Sequence, residues 1–190
     1  MKKSLGAQTL AYPAPTWIVC TYDGAGRANA MTAAWAGICC SRPPCVAVSL
    51  REATYTYASL LRRKAFTLNI PSEDFVVQAD YLGIVSGSRI DKLAVAGLTA
   101  LRSPAVDAPY IQEFPLVLEC NVIHTVEIGL HRQFIGEIID VKAEESILDE
   151  QGRPNIEKLR PILFSPHSHK YHGIGRCLGD AFSLGRRLGH

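Results

Sequence analysis

Several features that would assign this chain to a common functional class are missing from its sequence. No apolar run among the 190 residues approaches the roughly 20 that a membrane-spanning helix needs. The two lysines near the N-terminus are not followed by a continuous hydrophobic segment, so we predict no secretory signal, no membrane partner and a cytoplasmic protein. Twenty basic residues against eighteen acidic ones, with only 8% aromatic residues, also argue against a nucleic-acid partner.

The short motifs of several large enzyme classes are missing as well. No G-x-G-x-x-G turn follows the first predicted strand, which argues against a dinucleotide-binding Rossmann domain. The sequence also has no P-loop, no G-x-S-x-G elbow and no H-E-x-x-H helix. It therefore gives none of the usual signals of a nucleotidase, a hydrolase or a metalloprotease.

Cysteine and histidine are present, but their spacing does not predict a metal site. The six cysteines contain no C-x-x-C pair, so a zinc ribbon and a thioredoxin-type dithiol both lack their signature. Most cysteines, including the cluster Cys39, Cys40 and Cys45, fall in apolar segments, and we interpret them as reduced structural thiols. A metal-like tract also occurs in the tail, with the histidines His167, His169 and His172. No acidic or cysteine set accompanies it at a familiar ligand spacing, so we predict a polar loop.

The pattern of apolar residues predicts one domain over residues 1–190, of mainly β (α+β) class. Strands are predicted at residues 16–23, 28–40, 45–50 and 65–70, and a long hairpin at 115–142 that turns near Gly129 and Leu130. Helices are predicted from Thr54, from Ser72 and in a short segment closed by Gly97, and an exposed loop at 147–161. Because hairpins outnumber crossovers, we expect an antiparallel barrel with short helices packed outside.

Three polar patches interrupt these apolar segments. In the first, Asn29 and Thr32 stand among alanines, and they face opposite ways if the segment stays extended. The second patch leads into a helix and contains Ser49, Arg51, Thr54, Tyr55 and Thr56. The third surrounds another helix start and contains Ser86, Ser88, Arg89 and Lys92. Such residues can simply satisfy the backbone of turns. Hydroxyls, guanidinium groups and free amides together would also make a phosphate cradle, and two such patches favour a flat, phosphorylated ligand.

Five segments of the chain stand out together: NAMTAAW at 29–35, VSLREATYTYASL at 48–60, SGSRIDKLAVAGL at 86–98, GLHRQFIGEI at 129–138 and YHGIGRCLGDAFSLG at 171–185. In order and spacing, they resemble the flavin reductase-like family, and its flavoredoxin branch most of all. The resemblance covers most of the chain. It implies an antiparallel split β-barrel, an FMN cofactor bound at the interface of a homodimer, and a redox function.

The resemblance also implies which residues hold the cofactor. The isoalloxazine ring would be lined by Asn29, Ala30, Met31 and Thr32. The ribityl chain and phosphate would be held by Ser49, Leu50, Arg51, Tyr55 and Thr56. The anion site would be completed by Ser88, Arg89 and Lys92. Small residues would let the ring approach the backbone, while Trp35 would support the segment.

No side chain is predicted to be catalytic, because the chemistry would take place on the flavin. One position departs from the family pattern: its reductases usually carry Asp where this chain has Leu130, next to His131. This favours an electron-transfer protein that passes electrons between redox protein partners. The alternative is an NAD(P)H-dependent flavin oxidoreductase, and a third possibility is a non-redox binding module on the same barrel.

Overall fold

Twelve strands, four α-helices and three 3₁₀ turns account for the regular structure in residues 1–189, which the computed structural model describes. The strands are β1 Ala14–Pro15, β2 Trp17–Tyr22, β3 Ala28–Ala33, β4 Ala36–Ser41, β5 Pro44–Arg51, β6 Ala65–Ile70, β7 Ala100–Arg102, β8 Pro109–Ile111, β9 Leu116–Ile128, β10 His131–Ala143, β11 Leu163–Ser165 and β12 Lys170–His172. The helices are α1 Tyr55–Arg63, α2 Val76–Ile84, α3 Lys92–Ala96 and α4 Ile156–Leu159. The 3₁₀ turns are Glu73–Phe75, Glu145–Ile147 and Leu184–Leu188. Within these residues, no helix is long and apolar enough to cross a membrane.

A seven-stranded sheet forms the body of the fold, in the order β3-β2-β6-β9-β10-β5-β4. All of its strand pairs are antiparallel. The two edge strands, β3 and β4, follow each other in the chain and are joined by a bend at Ala34 and Trp35. The bend brings the two edges of the sheet together, and this confirms the predicted antiparallel split barrel with short flanking helices. Two small sheets, β1-β11-β12 and β7-β8, complete the fold.

Strand β2 separates two hydrophobic clusters because its side chains alternate between the two faces of the sheet. Val19 points into the barrel, where it packs with Phe66, Leu68 and residues of α1. Ile18 and Cys20 point outward and pack under α2 and α3. Burial of each large apolar side chain contributes about 1.5–3 kcal/mol, so both clusters hold the helices firmly against the sheet.

Helix α1 begins at the predicted position but without the predicted side-chain cap. Thr54 occupies the cap position with extended backbone, yet its hydroxyl donates to the Arg51 carbonyl at 2.8 Å. The helix ends at Lys64 in a left-handed conformation, whose N–H bonds back to the Leu60 carbonyl. The Tyr57 and Leu60 side chains are buried in the barrel cluster, so α1 is fixed by packing rather than by capping.

Three local expectations were wrong. Residues 28–40 form two strands instead of one, because the chain bends between the sheet edges. The helix expected from Ser72 begins as a 3₁₀ turn, in which Phe75 packs edge-to-face on Phe114 at 5.3 Å. The segment 147–161 is not wholly exposed, because Ile147 and Leu159 are buried in the barrel cluster.

The cysteines also divide differently from the prediction. Cys20, Cys45 and Cys120 are buried thiols, as expected of structural cysteines. Cys39 and Cys40 are exposed because they lie on edge strand β4, and Cys177 is exposed in the tail. The interpretation as core thiols therefore holds for only half of them.

Candidate functional site

A groove runs between three segments: the β2–β3 hairpin, the start of α1 and residues 82–93. One end is a cavity of about 320 Å³ bordered by Asp23, Tyr55, Arg62, Ser86 and Ser88, among others. An adjoining cavity of about 190 Å³ is lined by Met31, Gly87 and Lys92 and by residues 53–56. Tyr55 and Ser86 border both cavities, so the two form one continuous surface.

The wall of the groove is held together by Asp23, which follows β2 in the hairpin turn. One oxygen of its carboxylate accepts the backbone N–H groups of Ala25 and Arg27 at 2.8 and 2.9 Å. The other accepts the Arg27 Nε–H and the Tyr55 hydroxyl, both at 2.9 Å. Burial raises the pKa of Asp23, but the hydrogen bonds from Arg27, Tyr55 and Ala25 outweigh it and lower that pKa to about 2. Asp23 is therefore ionised at neutral pH and fixes the Tyr55 ring at the mouth of the groove.

The floor of the groove depends on a close approach between Gly87 and β3. Asn29 is buried there and donates its amide N–H to the Thr56 hydroxyl at 2.8 Å. A Cβ atom on Gly87 would lie 2.0 Å from Asn29 Oδ1 and 3.2 Å from Tyr55 Cδ1. Only glycine fits at this position, so the backbone of residues 86–88 can lie directly against the Asn29 side chain.

Lys92 is a buried cation beside the same floor. Its exposed fraction is only 5%, and its Nζ donates to the Leu82 carbonyl at 2.9 Å, the one hydrogen bond of this side chain within residues 1–189. Asp91, the neighbouring carboxylate, caps α3 instead by accepting the Ala94 N–H at 3.1 Å. Burial lowers the pKa of Lys92 to about 8, because the charged form has lost its water and gained only a carbonyl.

A family model described as "Flavin reductase like domain" matches residues 9–172. The chain belongs to this family. It is 56% identical to the solved flavoredoxin of Desulfovibrio vulgaris (Miyazaki F), with a TM-score of 0.93 over 97% of this chain and 100% of the other. A flavoredoxin from Methanosarcina acetivorans is 30% identical, with a TM-score of 0.90 over 100% of this chain and 98% of the other. An uncharacterized protein of Archaeoglobus fulgidus is 30% identical over 76% of this chain and 80% of its own length.

Most of the positions expected to bind the flavin lie together in the groove of this flavin reductase-like chain. Asn29 and Ala30 border a small cavity of about 70 Å³ beside Lys92, and Met31 borders the cavity of about 190 Å³. The walls of the groove also contain three other expected residues, Tyr55, Thr56 and Ser88. The Thr56 hydroxyl is already paired with Asn29, and the Tyr55 hydroxyl with Asp23. These two hydroxyls therefore shape the site more than they reach into it.

Other expected residues lie elsewhere. The Thr32 hydroxyl donates to the Ala79 carbonyl of α2, on the face of β3 opposite to Asn29. Leu50 is 2% exposed and belongs to the barrel cluster, while Ser49 and Arg51 flank it at the end of β5, opposite β10. Arg89 is exposed and borders none of the cavities of the groove. The structure thus does not bring these five side chains into the groove.

Trp35 supports the β3–β4 bend through its backbone. Its carbonyl accepts the Ser49 N–H at 2.8 Å, while the indole remains 39% exposed. The support expected from Trp35 thus includes a backbone hydrogen bond between the bend and β5.

The histidines of the tail lie on or beside the β11–β12 turn, away from the groove. His169 stacks on Phe164 with parallel rings 6.4 Å apart. Within residues 1–189, no group of three or more His, Cys, Asp or Glu side chains is arranged to hold a metal ion.

Sequence reasoning missed two residues that organise the groove, Asp23 and Gly87. An Asp before glycines is typical of a hairpin turn, so nothing in the sequence connects it to Tyr55, 32 positions later. Gly87 stands between Ser86 and Ser88, and a glycine flanked by serines is an ordinary loop signal. Only the spatial neighbours of these two residues reveal their role.

Proposed function

We propose that this chain binds FMN non-covalently in the groove and transfers electrons between redox protein partners. The observation that carries the proposal is Lys92, a buried cation with a single carbonyl partner beside a groove of small residues. A buried ammonium group without a counter-ion costs free energy, and an anionic ligand would remove that cost. The 56% identity with a protein described as flavoredoxin supports the same ligand.

The groove has the donor set that a phosphorylated ligand requires. The hydroxyls of Ser86 and Ser88 lie 2.9 Å apart, and both residues are exposed at the border of the larger cavity. Lys92 supplies a positive charge, and a charge-assisted hydrogen bond contributes about 1.5–3 kcal/mol. These three residues would hold the phosphate.

The floor of the groove suits a planar ring. Gly87 brings backbone close to β3, and the half-buried Met31 side chain presents an apolar surface without charge. The Asn29 amide is fixed by Thr56, so its remaining polar atoms keep a defined orientation. Bound FMN would supply the electron transfer itself, and these residues would orient it and exclude water.

One feature favours an electron carrier over an NAD(P)H-dependent flavin oxidoreductase: Leu130 stands where the reductases of the family usually have Asp. Asp23 is ionised and uses both oxygens in hydrogen bonds, so it acts as neither acid nor base in either mechanism. An oxidoreductase and a non-redox binding module remain the two alternatives.

We also propose a homodimer, supported by apolar side chains that this chain leaves uncovered. Val126, Ile128 and Leu130 are exposed at the tip of the long hairpin. A second copy of the chain packed on this apolar surface would remove it from water. Six free thiols suit the cytoplasm, where we place the protein.

Absorbance of the purified protein tests the proposal. We expect flavin bands after addition of FMN and removal of the excess by gel filtration, bleaching by dithionite, and little bleaching by NADH or NADPH without oxygen. Rapid bleaching by a nicotinamide would establish the oxidoreductase instead. If no FMN is retained, the non-redox module becomes the correct interpretation.

A further inference from the structure

Three thiols converge at the turn end of the β4–β5 hairpin, on the sheet edge formed by β4. Cys40 of β4 and Cys45 of β5 are directly opposite each other in the antiparallel register. The register shifts between Ile38, which pairs with Val46, and Cys40, so Cys39 is the extra residue of a β-bulge and has no Cα partner of its own on β5. The hairpin turn follows at once, since Ser41 is paired with Pro44.

The spacing of an antiparallel pair suits a disulfide between Cys40 and Cys45. Directly opposed residues have Cα atoms about 4.5 or 5.5 Å apart, depending on whether the pair is hydrogen-bonded. Both distances lie within the roughly 4.4–6.8 Å range of disulfide-linked residues. A bridge here would therefore need rotation of side chains and little movement of the backbone.

The two thiols differ in a way that sets the order of reaction. Cys40 is exposed, so a reagent in solvent can reach its sulfur. Cys45 is only 3% exposed, and burial together with the neighbouring Cys40 and Cys39 raises the pKa of its thiol. Cys40 is consequently the thiol that attacks first, and Cys45 is the one that resolves.

We propose that Cys40 and Cys45 form a reversible redox-active dithiol that exchanges with low-molecular-weight disulfides such as oxidised glutathione. In the first step, the Cys40 thiolate attacks one sulfur of the small disulfide, forming a mixed disulfide and releasing one small thiol. In the second step, the Cys45 thiolate attacks the Cys40 sulfur and releases the other small thiol. Two protein thiols are oxidised to one disulfide, and one small disulfide is reduced to two thiols.

The other three cysteines are not part of this cluster, and the cluster is not arranged as a metal site. Cys20 and Cys120 are buried on other strands, and Cys177 lies in the tail. Zinc binding is disfavoured because residues 1–189 contain no group of three or more side chains arranged for a metal. The proposed dithiol does not depend on FMN, and its test gives the same answer whether or not flavin is bound.

Mass spectrometry of the full-length protein tests the proposal. Reduced protein is incubated with oxidised glutathione, quenched with acid, alkylated with N-ethylmaleimide under denaturing conditions and digested with trypsin. All three thiols fall in the peptide of residues 28–51, because trypsin does not cleave before Pro43. We expect this peptide to carry three maleimides before oxidation and one afterwards, on Cys39. Three maleimides after oxidation would overturn the proposal.

Single substitutions identify the bridged pair. Cys39→Ser is the matched control and should still form the bridge, leaving its peptide without a maleimide. Cys40→Ser changes an exposed residue and should abolish the bridge, while Cys45→Ser should stop at the mixed disulfide with glutathione on Cys40. A bridge that survives Cys40→Ser, or one that disappears in Cys39→Ser, would show that Cys39 is the partner and would refute the assignment.

The pH dependence gives a second readout. Only the thiolate attacks, so while the pH is below the pKa of Cys45 each unit of increase in pH should speed up resolution of the mixed disulfide about tenfold. We expect the glutathionylated intermediate to accumulate at pH 7 and to disappear rapidly at pH 8.5. A resolution rate independent of pH would exclude Cys45 as the resolving thiol.

Discussion

Lys92 gives the sharpest test of the proposed FMN site, because its charge depends on pH in an unusual range. Burial lowers its pKa to about 8 in the free protein. A bound phosphate, which is a dianion above pH 7, would return the pKa of Lys92 to at least its ordinary value of about 10.4. Binding of FMN should therefore take up a proton between these two values, and the affinity should fall as the pH rises through them.

The size of the effect follows from proton linkage. With a pKa of about 8 in the free protein and about 10.4 in the complex, the Kd should rise at most about 25-fold between pH 7 and pH 9.5. Residual solvent access to the ammonium group would reduce this factor. Below pH 7 the contribution of Lys92 should be constant, because the residue is protonated in both states.

Quenching of flavin fluorescence at several pH values measures the affinity. Lys92→Gln is the matched variant, since it keeps a polar side chain of similar length but cannot ionise. We expect weaker binding at pH 7 and a flat pH profile for this variant. The same slope in the wild-type protein and in Lys92→Gln would refute the assignment of the phosphate to Lys92, even if FMN binds.

Three further substitutions test the packing described above. Gly87→Ala should weaken FMN binding at least about tenfold, because the new methyl group displaces Asn29 from the floor of the groove. Gly136→Ala should destabilise the protein by about 1–3 kcal/mol in urea unfolding, since its Cβ would lie 2.6 Å from the fully buried ring of Phe66. Asp23→Asn should cost about 1–3 kcal/mol at pH 7, because charge-assisted hydrogen bonds are lost. That difference from wild type should shrink as the pH falls from about 4 through about 2, where Asp23 itself becomes protonated.

Each of these three predictions has a result that would contradict it. Gly37→Ala is the control for both glycines, because a Cβ at Gly37 meets nothing within 4 Å. It should leave affinity and stability unchanged. Normal FMN affinity in Gly87→Ala, or normal stability in Gly136→Ala, would mean that the backbone yields at those positions. A constant difference between Asp23→Asn and wild type down to pH 2 would show that the carboxylate charge is not what stabilises the hairpin.

The elements that sequence predicted well are those with a local signal. Strands β9 and β10 each run over 13 residues, and the structure joins them at Gly129 and Leu130 as expected. Helix α3 ends at Gly97, whose φ of 65° is the left-handed conformation that glycine adopts most easily. In both cases a few adjacent residues determine the structure, so no knowledge of distant contacts is needed.

The parts of the site that sequence could not supply depend on contacts between distant segments. Strand alternation separates Asn29 from Thr32, but only the position of α2 shows that the Thr32 hydroxyl pairs with Ala79. The burial of Lys92 is equally hidden, because a lysine after Asp at a helix start is normally solvated. The carbonyl that accepts the hydrogen bond of the Lys92 ammonium group belongs to Leu82, in the preceding helix.

The position of Lys92 also explains how the candidate site can belong to a stable fold and still lack a counter-ion for its buried charge. Lys92 begins α3, is 5% exposed and donates to the Leu82 carbonyl of α2, so its ammonium group is largely withdrawn from water. Its charge is a cost to the folded protein at neutral pH, and a phosphate in the groove would turn that cost into affinity. Replacement by Gln removes the cost and the gain together. The free protein should therefore become no less stable, while the complex becomes weaker, and this opposite response separates a ligand-binding lysine from one that merely supports the fold.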